Sequence, residues 1–184
     1  MTATVVGLVL WAVLVLGSVW VWLPSRRAQP PLSRTPVLAI VVAVEVVATA
    51  VVAYLTATGA QLHPPASWFG VGLAGVAAVV PGGAVTLAVL GLADATSRPS
   101  GNRVQKTVLR GGAWIGALER VGLFGTLVAG WPEGVVAIVA IKAFARYPEL
   151  KTGQATGAIE RFIIGTFTSL GWAAACAGVA VILR

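Results

Sequence analysis

Apolar residues run along this chain in long, nearly uninterrupted blocks separated by short polar segments, with no sustained alternation of two. Blocks of about 20 residues match the thickness of a hydrocarbon core crossed by a helix rising ~1.5 Å per residue. The pattern predicts an all-α, polytopic membrane helix bundle of six spans forming a single membrane domain over residues 1–184. The spans fall at about 2–23, 37–58, 68–93, 111–130, 135–147 and 159–183. The fifth is short for a crossing. The alternative is therefore five crossings, with residues 111–147 dipping in and out as a re-entrant hairpin. Thr2 to Leu23 could also be a cleaved signal peptide, but no basic residue precedes it, and Arg26 and Arg27 follow it, the reverse of a signal peptide's order. Pro148 is expected to end the fifth helix. Pro81-Gly82-Gly83 interrupts the third, where a kink or short unwound stretch is expected.

Composition agrees with this pattern: 58% of the 184 residues are hydrophobic and only 10% charged, too few polar side chains to cover a water-soluble domain. The formal net charge of +7 could suggest nucleic acid. The basic residues, however, sit in connectors between apolar blocks and not along one helix face, so anionic headgroups and insertion topology account for them better. The connectors alternate. Those around Arg26 to Arg34, Arg98 to Arg110 and Arg146 to Lys151 are basic, while the His63 turn and the Trp131 turn carry no basic residue apart from His63 itself. By the positive-inside rule both termini lie outside a bacterial cytoplasmic membrane, with Arg184 the one departure. A single cysteine, Cys176, and a single histidine, His63, leave no metal cluster and no internal disulfide, and no cofactor motif is present.

The candidate chemistry is a set of ionisable residues inside apolar blocks. A charge at mid-bilayer costs roughly 3 kcal/mol on insertion scales, so such residues face partners or water. Glu119 and Arg120 stand side by side in the fourth span and Glu45 near the middle of the second. Lys142, Arg146, Glu160 and Arg161 lie toward the inner ends of the fifth and sixth. Three acids and four bases allow mutual neutralisation, and one charged cluster centred on Glu119 and Arg120 is expected. Gly112 and Gly116 share a face with Glu119, and Gly165 and Ser169 begin a small-residue ladder continued by Ala173 and Ala177; both predict close helix packing. The segment from Gly116 to Thr126 (GALERVGLFGT) is echoed by Gly157 to Thr166 (GAIERFIIGT).

Three functions fit. The cluster holds the bundle together or binds a membrane partner or a second copy; or Glu119, helped by Glu45, accepts a proton or cation in a small transporter or channel; or Lys142 and Arg146 hold an anionic lipid headgroup. Paired histidines, a nucleophile beside a base and phosphate-binding glycine patterns are all missing, which points away from catalysis.

The C-terminal half resembles a family of uncharacterised bacterial multi-pass membrane proteins. The resemblance lies in IGALER at Ile115 to Arg120, KAFARYPEL at Lys142 to Leu150, and ERFIIGTFTS at Glu160 to Ser169. Arg161 stands where that pattern carries an aromatic residue. The resemblance implies a membrane location and no particular activity.

Overall fold

The computed structural model describes residues 2–18, 34–58, 66–96, 111–151 and 156–184. Among these residues the fold is all-α, with six helices: α1 (Thr2–Gly17), α2 (Arg34–Thr58), α3 (Ala66–Thr96), α4 (Gly111–Val128), α5 (Glu133–Lys151) and α6 (Thr156–Leu183). The connectors around Arg26, His63 and Arg98 lie outside the described residues, as does the side chain of Arg146.

Three helices are long and apolar enough to cross a membrane, over Ala39–Thr58, Ala66–Ala93 and Ile159–Leu183, where the apolar blocks predict six. Each of the other three falls short for its own reason. The apolar stretch of α1 runs over Val5–Gly17 within the described residues. The 18-residue α4 carries Glu119 and Arg120, and the last turns of α5 carry Lys142, Arg146, Glu149 and Lys151. The outside of the bundle is strongly apolar, with Val47, Phe69, Trp114, Ile141, Phe144 and Phe167 all exposed, as expected of a surface meeting acyl chains.

α3 and α6 make the most extensive helix contact and form the centre; α1 and α2 pack to one side, α4 and α5 to the other. α3 and α6 are antiparallel. Gly70 sits against Leu183, Gly165 against Thr86 and Leu90, and the Trp172 indole reaches Ala77. Small residues make this contact close: Ala74, Ala77 and Ala78 on α3 and Ser169, Ala173 and Ala177 on α6 are buried, so dispersion between near-touching backbones holds the pair. α4 and α5 form an antiparallel hairpin whose turn is closed by Trp131 N–H to Thr126 C=O (2.8 Å) and Gly130 N–H to Leu127 C=O (3.1 Å). Gly130 has φ +74°, the left-handed conformation of a helix-ending glycine in this double bond pattern.

Neither expected helix stop unwinds its helix. α5 runs past Pro148 to Lys151, because a proline in the last turn gives up a single backbone bond. α3 runs unbroken through Pro81, Gly82 and Gly83. Pro81 lacks the N–H that would bond the Ala77 carbonyl one turn back, and the Trp172 indole donates to that carbonyl in its place at 2.9 Å. A neighbouring helix thus restores the bond that proline removes, which is how interior prolines are tolerated in membrane helices.

This substitution of one donor for another has a measurable signature. Trp172→Phe should destabilise the protein by about 1 kcal/mol, the scale of an interhelical hydrogen bond in a membrane protein. In a Pro81→Ala background the same change should cost less, because residue 81 then supplies the N–H. Thermal unfolding of the four proteins in detergent gives the coupling; equal losses in both backgrounds would refute it.

Candidate functional site

Consecutive residues on a helix cannot serve one neighbour, since each step turns the side chain by about 100°. Glu119 and Arg120 accordingly point to different helices, and the single cluster expected from the sequence is divided into three parts.

The first part is Arg120. Its side chain is 3% exposed and runs inward to the proline of α3. Nη2 donates to the Val79 carbonyl at 3.1 Å and Nη1 to Ser169 Oγ on α6 at 3.1 Å, so one guanidinium ties α4 to both central helices. Gly82 makes the room. A Cβ built there would lie 2.6 Å from Arg120 Cδ, 2.8 Å from Nε and 3.0 Å from Trp172 Cδ1, so any larger residue drives into the arginine stem. Arg120 Nε is buried without a hydrogen-bond partner. Gly116, expected to admit a partner helix, instead borders Arg120 of its own helix, where an added Cβ would stand 3.3 Å from Nη1.

The second part lies on the opposite flank of α4, where Lys142 Nζ of α5 pairs with Glu119 Oε2. The side chains are 18% and 11% exposed respectively, a largely desolvated ion pair. Lys142 Nζ also stands 5.9 Å from the centre of the Phe162 ring, within the range of cation–π attraction. Lys142 therefore touches α4 and α6 from its place on α5.

The third part is Glu45 on α2, 2% exposed. Thr49 Oγ1 donates to its backbone carbonyl at 2.8 Å, but neither carboxyl oxygen has a hydrogen-bond partner. Glu45 joins neither of the other two parts, and α2 packs against α1, α3 and α6.

The remaining expected members lie elsewhere. Glu160 and Arg161 are exposed at the start of α6, so the echoed Glu-Arg pairs occupy unlike surroundings. Gly112, expected at a helix contact, is exposed with open space beside it among the described residues. Arg184, which departs from the charge alternation, donates from Nη1 to the Val128 carbonyl at 2.6 Å; a cation there complements the C-terminal end of α4. The parts played by Trp172 and Gly82 do not show in the sequence pattern. The signal available was Pro81 itself, since an interior proline frees a carbonyl that some donor must meet.

The class that fold and site define is an α-helical bundle with three helices able to cross a membrane and charged side chains buried between them. Compared with family models, curated proteins and solved structures, the chain matches none.

Gly82→Ala should cost about 1–3 kcal/mol, the usual penalty of overpacking, because Arg120 is held at both ends and cannot yield. Gly165→Ala, where a Cβ would meet only ordinary contacts at 3.7 and 3.8 Å, should be neutral or stabilising. Thermal unfolding of both variants tests the pair, and an unaffected Gly82→Ala would show that the arginine is not pinned.

Proposed function

We propose that this chain is an integral protein of a bacterial cytoplasmic membrane. In this reading it crosses six times with both ends outside, and its charges between helices α3 to α6 serve as fixed ties within the bundle. The observation that carries the reading is the engagement of both interior cations described: Arg120 donates to Val79 and Ser169, and Lys142 pairs with Glu119. A transport site at Glu119 would need a carboxylate available to a travelling ion, and this one is neutralised in place. Alternation through α3 to α6 is supported by helix direction. α3 runs opposite to both α4 and α6, α5 runs opposite to α4, and the Arg120–Ser169 and Arg184–Val128 bonds make α4 and α6 parallel.

Ties of this kind have a testable asymmetry. Removing one partner of a fully buried pair costs about 3–5 kcal/mol because the survivor is stranded, whereas the exchanged pair regains the attraction. The Glu119–Lys142 pair keeps some exposure, which lowers that cost, but Glu119→Lys or Lys142→Glu alone also sets two like charges against each other, so each should lose a comparable amount in thermal unfolding, and the double exchange should recover most of it. In proteoliposomes, Glu119→Gln should leave proton permeability unchanged. A stable Glu119→Gln protein that has lost a flux present in the wild type would overturn the reading in favour of transport.

A further inference from the structure

Glu45 stands outside every tie described above. Its carboxyl is buried and both oxygens lack a partner, whereas Arg120, Lys142 and Glu119 all have one. Among the described residues, the helices packed against α2 bring no cation to it. α1 contains no charged residue over Thr2–Gly17, α3 none over Ala66–Ala93, and the basic residues of the α6 segment, Arg161 and Arg184, lie at its two ends. Arg120 approaches α3 and α6 from α4 and is engaged with Val79 and Ser169. The titratable group near Glu45 is the buried thiol of Cys176 on α6, within electrostatic reach of the carboxyl. α1 adds only an unpartnered donor of its own, Trp11 Nε1.

An ionised carboxylate in such a place would forgo its hydration without any compensating charge, a penalty that such groups escape by taking a proton. A metal cation is a poor alternative occupant. Hard cations require six or more oxygen ligands, and among the described residues no group of three or more His, Cys, Asp or Glu side chains converges anywhere. What the surroundings leave for Glu45 to bind is a proton. As a fixed hydrogen-bonding element it would be useless, since it bonds to nothing; an apolar residue would fill the space at lower cost.

We propose that Glu45 is a proton-exchange site inside the bundle, neutral when the α2, α3 and α6 contact is closed and releasing its proton when water reaches it. The site is separate from the Glu119–Lys142 pair and does not depend on it. Infrared spectroscopy of the protein in lipid vesicles tests this directly, since a protonated carboxyl has a carbonyl band distinct from that of a carboxylate. At neutral pH the wild type should show an acid carbonyl band that disappears in Glu45→Gln, persists at a shifted position in Glu45→Asp, and fades reversibly as the medium is made alkaline. The chain with Glu119 and Lys142 exchanged should keep the band. A neutral-pH spectrum without a band assignable to residue 45 would overturn the proposal. So would a band that stays constant from mildly acidic to strongly alkaline medium, because the proton would then be locked in and not exchanged.

Discussion

The bond on which the bundle most depends is that between the Arg120 guanidinium and the carbonyl of Val79, two residues before the proline of α3. A buried arginine needs acceptors because its charge cannot be shed, and Val79 on α3 and Ser169 on α6 supply them. The donor that Pro81 withholds from the Ala77 oxygen is replaced separately, by Trp172 of α6, so two neighbouring carbonyls of α3 each receive a bond from another helix. Gly82 is the condition for that arrangement, since only a residue without a side chain lets the arginine stem lie along the α3 backbone.

Much of this is legible in the residues alone. The helical class, the positions of the helices to within a few residues and the importance of Glu119, Arg120 and Lys142 follow from apolar block length and from the cost of charge in hydrocarbon. The small-residue ladder of α6 is also visible, and Ser169, Ala173 and Ala177 are buried where it predicts a close contact. Which charge meets which is not legible. Spacing along a helix tells which residues share a face but not which neighbour that face meets, so it groups Glu45, Glu119 and Arg120 together although they serve three different contacts. Pro81 misleads for the same reason. Its local effect is to break a helix, and the remedy comes from Trp172, 91 positions later in the chain.

The two halves of the molecule use polar groups differently. On the α4 and α5 side, Arg120 and Lys142 form bonds that reach from one helix to the next. On the α1 and α2 side, Thr49, Thr56 and Ser18 turn back to carbonyls of their own helices, and packing there rests on side chains such as Trp11, Val15 and Val52. Hydrocarbon contacts are nearly as good with lipid as with another helix, so the α1 and α2 side is the more easily parted of the two.

The tie through Arg120 also sets an order on assembly. Its acceptor on α3 emerges from the ribosome before the arginine does, but Ser169 and Trp172 belong to α6, which is made after both. Until α6 docks, the guanidinium has one of its two acceptors and the Ala77 oxygen lacks the indole donor, so α3 and α4 can pair early but reach their full set of bonds only when α6 joins them.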